Sequence, residues 1–114
     1  MTTSFLANWE TQARKGLVEL CILNILSRQE LYGYDIVRAL IESGGIVTSE
    51  GTIYPLLSRL RREGLIEATL VESDKGPARK YYRLSARGRN TLQKMNLLWN
   101  DIARSLTESQ GGKD

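Results

Sequence analysis

Apolar and polar positions along the chain change their period several times, and each change marks an element. From about Asn8 to Ser27 the pattern predicts a helix whose second half, GLVELCILNIL, is apolar on more than one side, through Leu17, Val18, Leu20, Cys21, Ile22, Leu23, Ile25 and Leu26. Such a helix is either the central core helix or one shared between the core and a partner chain, with Leu20 at the shared face. Glu19 and Asn24 are its polar interruptions, and residues 1–7 read as a loosely held arm. After a turn over Arg28 to Leu31, a second helix is predicted from about Tyr32 to Ser43, with Ile36, Val37, Leu40 and Ile41 inward. Gly44-Gly45 stops it. Ile46-Val47 reads as a brief extended piece.

The stretch Thr48 to Ile66, TSEGTIYPLLSRLRREGLI, is the one around which the rest is organised. At 100° per residue, Ile53, Leu56, Leu57, Leu60 and Gly64 share one side. The opposite arc holds Gly51, Thr52, Tyr54, Pro55, Ser58, Arg59 and Arg62, with Glu50 and Glu63 only on the flanks. A surface helix built for solubility mixes lysine and glutamate at i,i+4 spacing. This one presents small or hydroxylated residues near its start and arginines further along, which suits close approach to a polyanion. Pro55 leaves two starts open: near Pro55 itself, or at a Ser49 or Thr48 cap with a local distortion, the preferred reading.

Ile66 to Ser73 and Lys80 to Ser85 alternate as strands of a hairpin, with the turn Asp74 to Arg79 carrying basic residues at its tip. Two strands alone are marginal, so the hairpin must rest on the helices through Ile66, Leu70, Tyr82 and Leu84, with Ile46-Val47 as a third strand. Tyr81 and Tyr82 alternate faces, so one is core and the other semi-exposed; Arg83 is expected to pair with Glu67 or Glu72. Ser85 caps a last helix over 86–107, in which Leu92, Met95, Trp99, Ile102 and Leu106 are spaced 3, 4, 3, 4, the rhythm of a coiled-coil seam. A helix this long with an apolar seam predicts pairing with a second copy. Residues 108–114 read as a disordered tail.

Composition narrows the chemistry. The 114 residues make one domain with a charge of +3. From Ser58 to Arg89, nine basic residues face four acidic ones, a local +5 that leaves −2 for the remainder. Positive charge therefore gathers where the candidate recognition elements lie. Histidine is absent and Cys21 is the single cysteine, so no zinc site, internal disulfide or histidine acid/base catalyst is expected. No phosphate-cradling glycine loop or paired carboxylates suggest an enzyme, and no cofactor is implied. The start MTTSFLANWETQARK lacks the pattern of a signal peptide, and no segment approaches the roughly 20 apolar residues of a membrane span. A cytoplasmic location is expected.

The order helix, helix, turn, helix, strand, basic hairpin, long helix is that of an α+β winged helix-turn-helix domain over 1–85, followed by a dimerisation helix. Lys15-Gly16-Leu17, Tyr32-Gly33-Tyr34-Asp35-Ile36, Gly51-Thr52-Ile53-Tyr54-Pro55-Leu56-Leu57, Arg59-Leu60, Glu63-Gly64-Leu65-Ile66 and Arg79-Lys80-Tyr81-Tyr82-Arg83-Leu84-Ser85 ahead of Gly88 resemble the PadR family of bacterial transcriptional regulators. The single C-terminal helix resembles the family's short branch, and Glu50 departs from its frequent proline.

The resemblance implies a homodimeric repressor of an inverted-repeat DNA operator, released by a small aromatic effector or a change in dimer geometry. It places Thr52, Tyr54, Pro55 and Ser58 at the groove edge or phosphates, with Tyr34 supporting the first helix of the pair against the DNA backbone. Lys75, Arg79 and Lys80 would reach DNA from the wing. The wheel adds Arg59 and Arg62; Ser58 and Arg59 are the expected base readers, the alternative for Ser58 being only to keep the helix surface small. Arg61 points to the flank as a solvated charge. Trp99 is read as a stacking plate for a flat effector or as interface packing, Trp9 as part of the same wall or as packing, and Cys21 as an inert thiol rather than a redox sensor. The alternative function is a winged-helix module that docks an acidic protein without binding DNA.

Overall fold

The computed structural model describes residues 2–43 and 50–111. The elements are α1 (Thr2–Leu26), β1 (Leu31–Tyr32), α2 (Gly33–Glu42), a 3₁₀ turn (Glu50–Thr52), α3 (Ile53–Arg62), β2 (Ile66–Ser73), β3 (Gly76–Leu84) and α4 (Ala86–Ser109). The expected cap and stop at Gly44-Gly45, Thr48 and Ser49, the strand at Ile46-Val47 and the last residues of the tail lie outside the described residues.

One core gathers the four α-helices and the sheet. Val18, Leu20, Ile22, Leu23 and Leu26 of α1 meet Ile36, Val37 and Leu40 of α2, Ile53, Leu57 and Leu60 of α3, Ile66, Tyr82 and Leu84 of the sheet, and Leu92 of α4. The C-terminal half of α1 is the central core helix, while Phe5, Leu6 and Trp9 of its N-terminal half stand exposed. The arm expected over 1–7 is helical from Thr2, because no breaker separates TTSFLA from the helix that follows.

The sheet is antiparallel, in the order β1-β3-β2. Its third strand is Leu31–Tyr32, paired with Tyr82 and Tyr81, in the segment expected as a turn and the start of a helix. Two residues carry no readable period, so this pairing is a tertiary choice. The β2–β3 connection is tighter than expected: the turn is Asp74-Lys75, and Gly76 already pairs with Ser73. A register shift follows between Val71 and Ser73, opposite Pro77 and Ala78, where a proline without an N–H is tolerated. Arg79, expected in the turn, therefore lies within β3, next to Lys80 in the strand that the alternation predicted.

Pro55 is the third residue of α3, so its missing N–H belongs to the first turn, where no intrahelical acceptor exists. The 3₁₀ turn Glu50–Thr52 runs directly into α3, so the helix does not begin at Pro55 itself. At the other end Leu65 N–H donates to Leu60 O and Gly64 N–H to Arg61 O, with Gly64 at φ +78°, a left-handed glycine stop. Ser85 then starts α4: its Oγ accepts from Gly88 N–H at 2.9 Å and donates to the Gly64 carbonyl at 2.6 Å. α4 runs two residues beyond the predicted Thr107.

At about 36 Å by its 24 residues, α4 is long for the domain it leaves. The radius of gyration is 16.4 Å and the longest extent 56 Å, against about 13 Å for a compact domain of this length. Of the predicted seam, Leu92 is buried in the chain's own core, and Met95 and Trp99 pack against it half-buried. Leu20 is likewise buried among residues of its own chain. Ile102 at 43% and Leu106 at 52% exposure remain free, with Leu98 beside them.

Candidate nucleic-acid interface

The side of α3 away from the core is set by its own periodicity. Ile53, Leu57 and Leu60 are buried, and Tyr54, Pro55, Ser58, Arg59 and Arg62 are exposed, with Thr52 exposed at the end of the 3₁₀ turn. No ion pair among the described residues involves Arg62, Lys75 or Lys80. Arg59 is engaged: its Nη1 forms an ion pair with Glu19 Oε2 of α1 at 3.1 Å. Arg61 leans to the flank, close enough to Tyr82 to act on its phenol electrostatically.

Three elements meet around the start of α2. The Tyr54 ring of α3 lies against Gly33, where an added Cβ would stand 3.0 Å from Tyr54 Cε1. On the other side, the Arg79 guanidinium of β3 sits 4.8 Å from the centre of the Tyr32 ring. Tyr32 also stacks on Tyr34 at 6.4 Å between ring centres and tilts against Tyr81 at 5.6 Å, and Arg38 lies 5.9 Å over Tyr34. Tyr34, Tyr54 and Arg79 are thus brought to one contiguous patch, although they are 20 to 45 positions apart along the chain. Lys80 follows Arg79 in β3, and Lys75 occupies the turn. Arg83 turns aside, to Glu67 at 3.2 Å and Thr69 Oγ1 at 2.8 Å, as its register predicts.

Sequence reasoning missed Tyr32, Arg38 and Glu19 as parts of this surface. Tyr32 was hidden by its two-residue strand, while Glu19 was visible as a carboxylate in an apolar run. Burial pushes the Cys21 thiol above its usual range, as expected for an inert cysteine.

A model of the transcriptional regulator PadR-like family matches residues 22–94, which includes α2, α3, the hairpin and the first turns of α4. The chain belongs to the PadR-like family of transcriptional regulators. The winged helix-turn-helix is therefore a DNA-binding fold here, and PadR proteins are regulators rather than enzymes. A PadR-like transcriptional regulator from Bacillus cereus is 40% identical, with a TM-score of 0.78 over 90% of this chain and 99% of that one. A PadR family regulator from Eggerthella lenta is 26% identical, with a TM-score of 0.83 over 96% of this chain and 95% of that one. A transcriptional regulator of Mycobacterium tuberculosis is 32% identical over 97 residues, 85% of this chain and 89% of its own length.

An open cleft of about 210 Å³ lies between α1, β3 and α4, lined by residues that include Asn24, Arg89, Leu92 and Asn96. Trp99 is not part of its lining. Among the described residues no group of histidine, cysteine, aspartate or glutamate could hold a metal ion, and no helix is long and apolar enough to cross a membrane.

Proposed function

We propose that this PadR-family chain is a cytoplasmic repressor that binds an inverted-repeat operator as a homodimer. Thr52, Tyr54, Pro55, Ser58, Arg59 and Arg62 of α3 enter or border the major groove, Tyr34 backs them at the phosphates, and Lys75, Arg79 and Lys80 hold the backbone beside the wing. The observation that carries this reading is the junction at Gly33, where Tyr54 of the reading helix and the Tyr32–Arg79 stack of the wing touch neighbouring residues. Reading helix and wing are thereby held as one surface, as a single stretch of duplex requires.

The pairing of two copies is supported by the exposed apolar residues of α4, Leu98, Ile102 and Leu106, and of α1, Phe5, Leu6 and Trp9. Trp99, half-buried at the edge of that face, would offer its ring to a flat aromatic effector once a second chain closes over it.

Fluorescence anisotropy with duplexes enriched from a randomised pool, across a salt series, tests the proposal. Cationic contacts predict a steep fall of log affinity with log salt, and Arg62→Ala and Lys80→Ala should each reduce the slope by about 0.9 and weaken binding. Variants that bind as tightly as the parent with the parent's slope would remove α3 and the wing from the DNA surface. A protein that retains no duplex but captures acidic polypeptides would favour the docking-module alternative.

A further inference from the structure

Arg59 stands on the outward half of α3 beside Ser58 and Arg62, yet it is tethered from behind. Its partner Glu19 is 18% exposed against 57% for Arg59, so the carboxylate is the fixed member and the arginine the arm that reaches it. Glu19 is fixed because its neighbours Val18 and Leu20 are anchored in the core. A carboxylate this far from water is costly unless it is paired. The tether occupies one guanidinium nitrogen and leaves other N–H donors of the same rigid plane unclaimed by it.

We infer that Glu19 is a specificity-determining positioning residue: it aims the free edge of Arg59 at a base and cancels the charge with which Arg59 would grip any phosphate. The inference rests on the reading of α3 as the DNA-contacting helix. Restraining the long side chain before DNA arrives removes part of the ordering cost at binding. Two remaining donors match guanine O6 and N7, a contact that discriminates between bases. The neutralised guanidinium also displaces fewer counterions from a random duplex, so affinity without sequence preference is held down. Both effects act on the ratio of specific to non-specific binding, the quantity that matters among many competing sites.

The test uses the full chain and duplexes enriched by the parent from a randomised pool, each compared with a scrambled duplex of equal composition. Affinities are measured across a potassium chloride series for the parent, Glu19→Gln, Arg59→Ala and the double variant. Glu19→Gln should bind the scrambled duplex more tightly, with a salt slope steeper by about 0.9. Its preference for the enriched duplex should fall about fivefold. In the Arg59→Ala background the same change should do nothing further to preference or slope. Arg59→Lys, which keeps the charge without the planar fork, should also lose preference.

A Glu19 that merely supports the fold would lower the thermal midpoint while leaving preference and slope at the parent's values, and that result overturns the inference. So does a Glu19→Gln effect of full size without Arg59. A parent that enriches no duplex overturns the DNA-binding proposal first and this one with it, so the two failures are told apart.

Discussion

Asn24 of α1 and Asn96 of α4 exchange two hydrogen bonds: Asn24 Nδ2 donates to Asn96 Oδ1 at 3.1 Å, and Asn96 Nδ2 donates to Asn24 Oδ1 at 2.9 Å. The pair is half-buried and joins helices that are 72 residues apart at that point. Removing one amide strands the other, whereas removing both leaves an apolar contact. Asn24→Ala should therefore cost about 1–3 kcal/mol in urea unfolding, and the double change to leucine should recover most of it.

Gly88 shows how closely the hairpin and α4 approach each other. A Cβ there would stand 1.9 Å from the Leu65 carbonyl oxygen, which already accepts from Ser85 N–H at 3.1 Å. The obstacle is backbone, so no side chain can swing away. Gly88→Ala should displace the start of α4 and cost about 3 kcal/mol, visible as a lower urea midpoint; an unchanged midpoint would mean the junction is looser than it stands.

The free part of the α4 seam directs the dimer test. Trp99 packs on its own core, so changing it confounds folding with assembly. Ile102→Asp with Leu106→Asp alters residues that one chain leaves exposed. Sedimentation should report a monomer with an unchanged far-ultraviolet spectrum and much weaker duplex binding. A dimer that survives both changes would place the contact elsewhere.

Tyr82 makes stability depend on alkaline pH. Burial raises its phenol above the usual 10.0, with Arg61 drawing it partly back and Tyr54 adding to the rise. The unfolded chain thus releases its proton first. The contribution is intact below about pH 10 and is lost as pH climbs toward the higher folded value. Cys21 acts in the same direction from about pH 9. Tyr82→Phe should flatten the alkaline fall above pH 10, measured as urea midpoints against pH, and Cys21→Ala should flatten its onset.

Much of the site was legible because it lies on elements with a strong period. In α3, apolar residues at helical spacing face the core, so Tyr54, Pro55, Ser58, Arg59 and Arg62 had to face out. Alternation in β2 and β3 implied the burial of Ile66, Tyr82 and Leu84 and left Arg83 to Glu67 or Glu72, of which Glu67 is the partner; Leu70, expected at the core, is exposed because β2 runs past the helices there. Boundaries without a period were not legible. The strand at Leu31–Tyr32 depends on the β3 edge it pairs with, and the tight Asp74-Lys75 turn on the register of β2 against β3.

By itself, the sequence determined which faces of α2, α3 and the hairpin are apolar, where cationic residues concentrate, and where the last helix must start, at the Ser85 cap. These are local consequences of side-chain chemistry and backbone sterics. Only the tertiary structure decided what Glu19, Asn24 and Tyr32 do, because each meets a partner brought near by packing rather than by spacing: Arg59, Asn96 and Arg79. A polar group in an apolar run announces that it needs a partner, but only the folded chain selects which one, since that choice depends on distances no sequence period contains.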